Sequence, residues 1–274
     1  MHVAIQGEPG SFSHEAAGKV FPGATILPCS LSQDVFRALA QREVDAAVIP
    51  IENSLAGSVV EHYDLLLDHD VAIESESLLR IRHNLIAVPG SSIEHIQRVY
   101  SHPVALAQCR KFFERHPSIE AIPFYDTAGS VKQLMELRDR STGAIASVRA
   151  AEYYGGEILA AGIEDNAENY TRFFVIRRRD EVSPDPDADK VSLAFTVENR
   201  PGTLVAALEV FAVQGTNLTK IESRPVQGKP WQYVFYVDYQ LSTQARADVA
   251  LELLRHHCSM VKELGRYRAA QRPE

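Results

Sequence analysis

The chain has 274 residues, 45% of them hydrophobic, and a formal net charge of −8. That is enough for a sizeable core and most simply two domains, and the acidic balance argues against a nucleic-acid surface, with Arg177-Arg178-Arg179 read as a solvated strand end. Three scattered cysteines without a CxxC pair, a start without a signal-peptide pattern and no long apolar run predict a reduced, cytoplasmic protein with no membrane span.

From Val3 to Ile176 short apolar runs alternate with amphipathic stretches, the rhythm of an α/β fold. The spacing predicts strands at 3–5 and 25–27 around a helix at 13–20. A second helix is expected from near Ser30, where Ser30 and Gln33 have capping-box spacing. Residues 45–51 read as a buried strand, 57–67 as a helix with Val59, Tyr63, Leu66 and Leu67 inward, and 71–88 as two extended segments crossing between lobes. A second series follows: strand 99–100, helix 105–115, strand 119–124, helix 128–137 and strand 144–146, then a short helix and two more strands. Two α/β lobes predict a cleft, because open sheets bind ligands beyond the carboxyl ends of their strands. Residues 180–190, with two prolines and five acids, read as a linker. Beyond them come strand 191–197, helix 202–213, strands 218–224 and 232–239, a helix from Gln244 and a strand at 260–264. That βαββαβ order is the ferredoxin-like plan.

Four polar loops in the first part each follow a strand-like run. The first contains Gly7, Gly10, Ser11 and Ser13 before a helix, suited to holding a carboxylate on backbone amides, or equally a tight turn with Ser13 as the helix cap. The second holds Glu52, Asn53 and Ser54, the third Ser101, His102 and Gln108, and the fourth Asp126 and Thr127. Taken singly, each also reads as a turn or a cap. A fifth stretch, Asn169-Tyr170-Thr171-Arg172-Phe173-Phe174, puts a hydroxyl and a guanidinium at the head of a buried strand. Arg172 there could hold a carboxylate or pair with an internal acid such as Asp165. No HExxH, GxSxG, GxGxxG or GK[ST] pattern occurs, so neither metal nor nucleotide is expected, and Cys109 reads as inert. The loops share neutral polar groups with few acids, which suits binding a small dianion and donating one proton.

In order and spacing these loops, with Ala146-Ser147, Ile163-Glu164-Asp165 and residues 169–173, resemble the prephenate dehydratase family over nearly the whole chain. Glu222-Ser223-Arg224-Pro225 and Pro201-Gly202-Thr203-Leu204 resemble the signatures of its regulatory ACT domain. The resemblance implies a two-lobed catalytic domain like the type II periplasmic binding proteins at 1–179, a linker at 180–190 and a ferredoxin-like ACT domain at 191–274. It implies decarboxylating dehydration of prephenate to phenylpyruvate without cofactor or metal, since aromatisation drives the step. Thr171 is then the proton donor, and Ser11, Ser13, Asn53, Ser54, Ser101, Gln108, Thr127, Arg172 and Phe173 bind substrate. L-phenylalanine is the expected effector, held between paired regulatory domains by Gly202, Thr203, Leu204, Asn217, Leu218, Glu222, Ser223, Arg224 and Pro225. A homodimer or a dimer-of-dimers tetramer follows. The chain departs from the family pattern at Val104, where glutamine is usual, and at Thr203, where alanine is usual. Arogenate as substrate and a non-catalytic two-lobed amino-acid sensor are the alternatives.

Overall fold

The computed structural model describes residues 1–226, 228–241 and 243–271. The first series comprises β1 (His2–Gln6), α1 (Phe12–Val20), β2 (Thr25–Cys29), α2 (Ser32–Ala40), β3 (Ala46–Asn53), β4 (Gly57–Ser58), α3 (Val60–Asp68) and β5 (Val71–Arg80). β1 pairs in parallel with both β2 and β3, and Val3, Ala4, Ile5 and residues 46–49 are fully buried. A parallel strand covered on both faces explains why these runs are continuously apolar rather than alternating. Two expectations change here. The proposed capping box at Ser30 is not formed: α2 begins after Leu31 without a side-chain cap, and the Ser32 hydroxyl donates to Glu61 instead. Residues 57–58 are not the first turn of a helix but pair antiparallel with Glu52 and Asn53, so the helix starts at Val60.

The second series comprises β6 (Asn84–Ala87), β7 (Arg98–Ser101), α4 (Pro103–Ala107), α5 (Arg110–Arg115), β8 (Glu120–Pro123), α6 (Thr127–Leu137), β9 (Thr142–Ala146), α7 (Val148–Tyr154) and β10 (Glu157–Ala160). Its sheet has the order β10-β6-β9-β7-β8. Alternate residues of β6 face opposite layers, Leu85 and Ala87 packing with Val99, Phe112 and Ile145, and Ile86, with Val88 just beyond the strand, packing with Val131, Ala144 and Ala150. The single helix expected at 105–115 is broken. Asp165 accounts for the break: its carboxylate accepts the amides of Arg110 (3.0 Å) and Lys111 (2.9 Å) at the start of α5. Its own amide donates to the Gln108 carbonyl at 2.7 Å. An acid at a helix N-terminus satisfies donors that the helix leaves open.

The chain then returns through β11 (Tyr170–Arg178) to the first sheet, giving the order β2-β1-β3-β11-β5 with β4 on β3. By contact, the chain forms two compact units. One contains Met1–His62 and Ser77–Phe173, the other Tyr63–Glu76 and Phe174–Gln271.

The second unit contains β12 (Lys190–Thr196), α8 (Thr203–Val213), β13 (Leu218–Pro225), β14 (Tyr233–Gln240), α9 (Gln244–His257) and β15 (Met260–Tyr267). Their antiparallel sheet has the order β13-β14-β12-β15, which is the ferredoxin-like βαββαβ plan expected. Val191, Leu193 and Phe195 pack on one face against Ala207, Phe211, Leu251 and Leu254 of the two helices. On the other face Tyr236 meets Tyr63, and Lys190 bonds Glu76. Lys262 donates to the carbonyls of Leu66, Leu67 and His69, closing the C-terminus of α3. The acidic stretch 180–190 is tied down as well. Arg268 donates to Asp185, and Ala269 N–H donates to Asp189.

Candidate active site

All four polar loops and the head of β11 line one cleft of about 670 Å³ in the first unit. Ser11, Ser13, Asn53, Gln108, Thr127, Thr171 and Phe173 are in its wall, together with Gly7, Glu8, His83, His102, Tyr125 and Asp126. No lysine or arginine is among these lining residues. The first loop turns at Gly7 (φ 101°) and Gly10 (φ 86°). The cap of α1 is Ser11, not Ser13: Ser11 Oγ accepts the His14 amide. Gly10 lies against α7, receives the Ser147 hydroxyl on its carbonyl at 2.7 Å, and donates its amide to His14 Nδ1 at 2.9 Å. A Cβ at position 10 would stand 2.8 Å from the Ala150 Cα. Only glycine gives both that conformation and that approach.

Thr171 is 8% exposed, and its Oγ1 accepts the Asn53 Nδ2 at 3.0 Å. Asn53 also donates to Asn169 Oδ1 at 2.8 Å, and Asn169 donates to Gln108 Oε1 at 2.9 Å. His83 Nε2 lies 2.8 Å from the same Gln108 oxygen. Burial is the main reason that the His83 pKa falls below the ordinary histidine value. Asn169, named only as the first residue of the fifth stretch, and His83 were given no role from the sequence; the His83-Asn84 pair is not distinctive in a crossing segment that also carries Glu74, Glu76, Arg80 and Arg82.

Strand alternation decides the fate of Arg172. Thr171 and Phe173 line the cleft, while Arg172 between them does not, and its guanidinium pairs with Glu52 at 3.3 Å. Arg172, expected to anchor a substrate carboxylate, here pairs with Glu52, while Asp165, the internal acid named as its alternative partner, caps α5. Ser101 is fully buried and donates its hydroxyl to the Ile145 carbonyl at 2.6 Å, so it braces the strand end behind the cleft. Ser54 is exposed outside the lining, donating to the Glu168 carbonyl and accepting the Tyr170 amide. Val104, the departure from the family pattern, lines the cleft as an exposed apolar side chain. Elsewhere in the lining, burial and the neighbouring Glu8 push the Asp126 carboxyl up, while its oxygen caps α6 through the Gly129 amide at 2.7 Å. Cys109 is fully buried and burial raises its thiol, consistent with an inert role.

The expected effector residues lie in the second unit. Gly202 (φ 86°) caps α8, and Thr203 donates its hydroxyl to the carbonyls of Glu198 and Arg200. Asn217 donates to Gln240, Leu218 packs with the helix-side core, Glu222 pairs with Lys220, and Arg224 donates to Asp64 at 3.0 Å. Ser223 and Pro225 stand opposite Phe235 and Tyr233 on β13. The register separates these residues within one chain. Arg224 and Thr196 both stand opposite Val234 at one end of the sheet, whereas Leu218 stands opposite Tyr239, level with Val191, at the other.

The model of the prephenate dehydratase family matches residues 3–181. Over 97% of its length the chain is 40% identical to 72% of arogenate dehydratase/prephenate dehydratase 2, chloroplastic, of Arabidopsis thaliana. Two solved structures each match 98% of the chain. One is the prephenate dehydratase of Arthrobacter aurescens in complex with L-Phe, with a TM-score of 0.89, 32% identity and 90% of that chain covered. The other is described as GqqA, of a novel type of quorum quenching acylases, with a TM-score of 0.91, 33% identity and 98% of that chain covered. With a family match over residues 3–181 and 40% identity to a relative along nearly all of its length, the chain belongs to the prephenate dehydratase family.

Proposed function

We propose that the chain converts prephenate to phenylpyruvate, with Thr171 as proton donor to the departing ring hydroxyl. One observation carries this: the Thr171 hydroxyl stands in the cleft wall and accepts from Asn53, leaving its own proton unspent among the described residues. In the reaction the bond from the ring to its carboxylate breaks and carbon dioxide leaves. The electron pair enters the ring as the opposite C–O bond breaks, the hydroxyl takes a proton and departs as water, and the ring becomes aromatic. One proton is consumed per turnover and is restored to Thr171 from solvent. A threonine hydroxyl is a weak acid, so proton transfer accompanies C–O cleavage instead of preceding it. For the dianionic substrate the cleft offers amide donors and the N-terminus of α1 in place of lysine or arginine. A nucleophilic acyl transfer is disfavoured, because among the described residues Thr171 has no imidazole or amine hydrogen-bond partner to activate it. Thr171→Val keeps the shape and removes the proton. Turnover should fall by about 10²- to 10⁴-fold with little change in KM, and a valine variant at wild-type turnover sinks the assignment.

In the same proposal residues 1–179 carry catalysis, 180–190 connect, and 191–274 form an ACT domain responding to L-phenylalanine, the ligand named for the Arthrobacter protein. β13 is the end strand of its sheet. A second copy running antiparallel along it would bring Asn217 and Leu218 of one chain to residues 222–225 of the other, which supports a homodimer or a tetramer of two dimers.

A further inference from the structure

Hydrogen-bond directions around Thr171 are dictated by backbone amides of the second loop. Asn53 Oδ1 accepts the backbone N–H groups of Leu55 (3.0 Å) and Ala56 (2.9 Å). Backbone amides only donate, so these two bonds fix which end of the Asn53 side chain is oxygen. Its Nδ2 therefore faces Asn169 Oδ1, the Tyr170 carbonyl and Thr171 Oγ1. An amide nitrogen cannot accept, so Thr171 must, and its proton is turned away from Asn53. The same logic passes along the chain of amides. Asn169, with its oxygen held by Asn53, donates through Nδ2 to Gln108 Oε1 at 2.9 Å. Gln108 returns Nε2 toward Asn53 Oδ1 at 3.5 Å, closing a ring of three amides. Since Gln108 Oε1 can only accept, His83 Nε2 must carry a hydrogen. The other ring nitrogen, Nδ1, is buried with no hydrogen-bond partner among the described residues. Asn169 is fully buried and absent from the cleft lining, so whatever it contributes acts through its neighbours.

We propose that Asn169 is a positioning residue for the proton transfer: through Asn53 it holds the Thr171 hydroxyl as an acceptor with its proton directed into the cleft, and through Gln108 it holds His83 as the Nε2–H tautomer. The proposal rests on Thr171 being the donor, but the two can fail separately. Histidine ¹⁵N NMR of the full chain, with His83→Gln as the assignment control, reads the network without any kinetics. The expected result near pH 7 is a neutral imidazole protonated at Nε2; an Nδ1–H tautomer overturns the proposal. Kinetics on two variants add a readout that simple packing would not produce. Asn169→Leu removes both hydrogen bonds at similar volume and should lower kcat by about tenfold or more while leaving KM within about twofold. Asn169→Asp can mimic the amide only when protonated, accepting from Asn53 and donating to Gln108. Its kcat should climb toward wild type as the pH falls, a profile that the leucine variant lacks. Wild-type kcat in Asn169→Leu, or pH profiles of the same form in both variants, overturns the role. If the leucine variant does not fold, the tautomer in the unmodified chain still decides. Should Thr171→Val retain turnover, the donor assignment falls while the tautomer continues to report the polarity of the amides.

Discussion

Gly10→Ala tests whether the first loop is held in the cleft by its approach to α7. An alanine there must adopt φ near 86°, which costs an L-residue about 1 kcal/mol. Its Cβ would lie 2.8 Å from the Ala150 Cα and 3.3 Å from the Ala150 Cβ and N, mostly backbone of a neighbouring helix that cannot rotate aside. Overpacking of that kind costs about 1–3 kcal/mol. The expected loss is therefore about 2–4 kcal/mol, read as a fall in the urea midpoint. Gly162→Ala supplies the control, because it has a similar φ of 63° but no atom within 4 Å of a Cβ. It should lose only about 1 kcal/mol. Moving the loop also displaces Ser11 and Ser13, so KM should rise in the first variant and not in the second. Equal destabilisation of the two variants would refute the close-approach argument.

Asp126→Asn keeps a good helix cap and removes a carboxyl whose pKa burial has raised. The folded state holds this proton more tightly than the unfolded state, so ionisation destabilises the protein above the raised pKa. The variant should be more stable at neutral pH, with the gain shrinking as the pH falls through that pKa, and a denaturation series over pH checks it. For Arg172 and Glu52, a double-mutant cycle should return a coupling of about 0.5–3 kcal/mol in stability; no coupling would mean that the ion pair is idle. Adding L-phenylalanine should lower turnover, and Arg224→Ala should shift the inhibition curve to higher concentration. An unchanged curve would place the effector elsewhere, and side-by-side kinetics on prephenate and arogenate would rank the substrates.

The α/β rhythm was legible because strands buried on both faces, such as residues 46–49, leave an unmistakable apolar run. The four loops could be named as candidates because each follows such a run, and all four do meet in one cleft. What remained hidden depended on partners distant in sequence. The break after Ala107 is imposed by Asp165, and the partner of Arg172 is Glu52, a residue whose proximity no local pattern announces. Alternation along β11 could have separated Thr171 and Phe173 from Arg172 in advance, had the strand been read face by face. His83 and Asn169 were given no role in the sequence because their importance lies in whom they bond, not in their own spacing.

The position of β11 between β3 and β5 has a consequence for synthesis. Asn53 emerges from the ribosome more than a hundred residues before its partner, since 118 positions separate it from Thr171. Until β11 arrives, β3 has one unpaired edge and β5 has no neighbour on that side, a state open to wrong pairing. The catalytic wall is therefore among the last parts of the first sheet to be completed. A chain interrupted before Tyr170 would retain most of its helices and strands while exposing a sticky edge, and such fragments should call on chaperones more than the finished enzyme does.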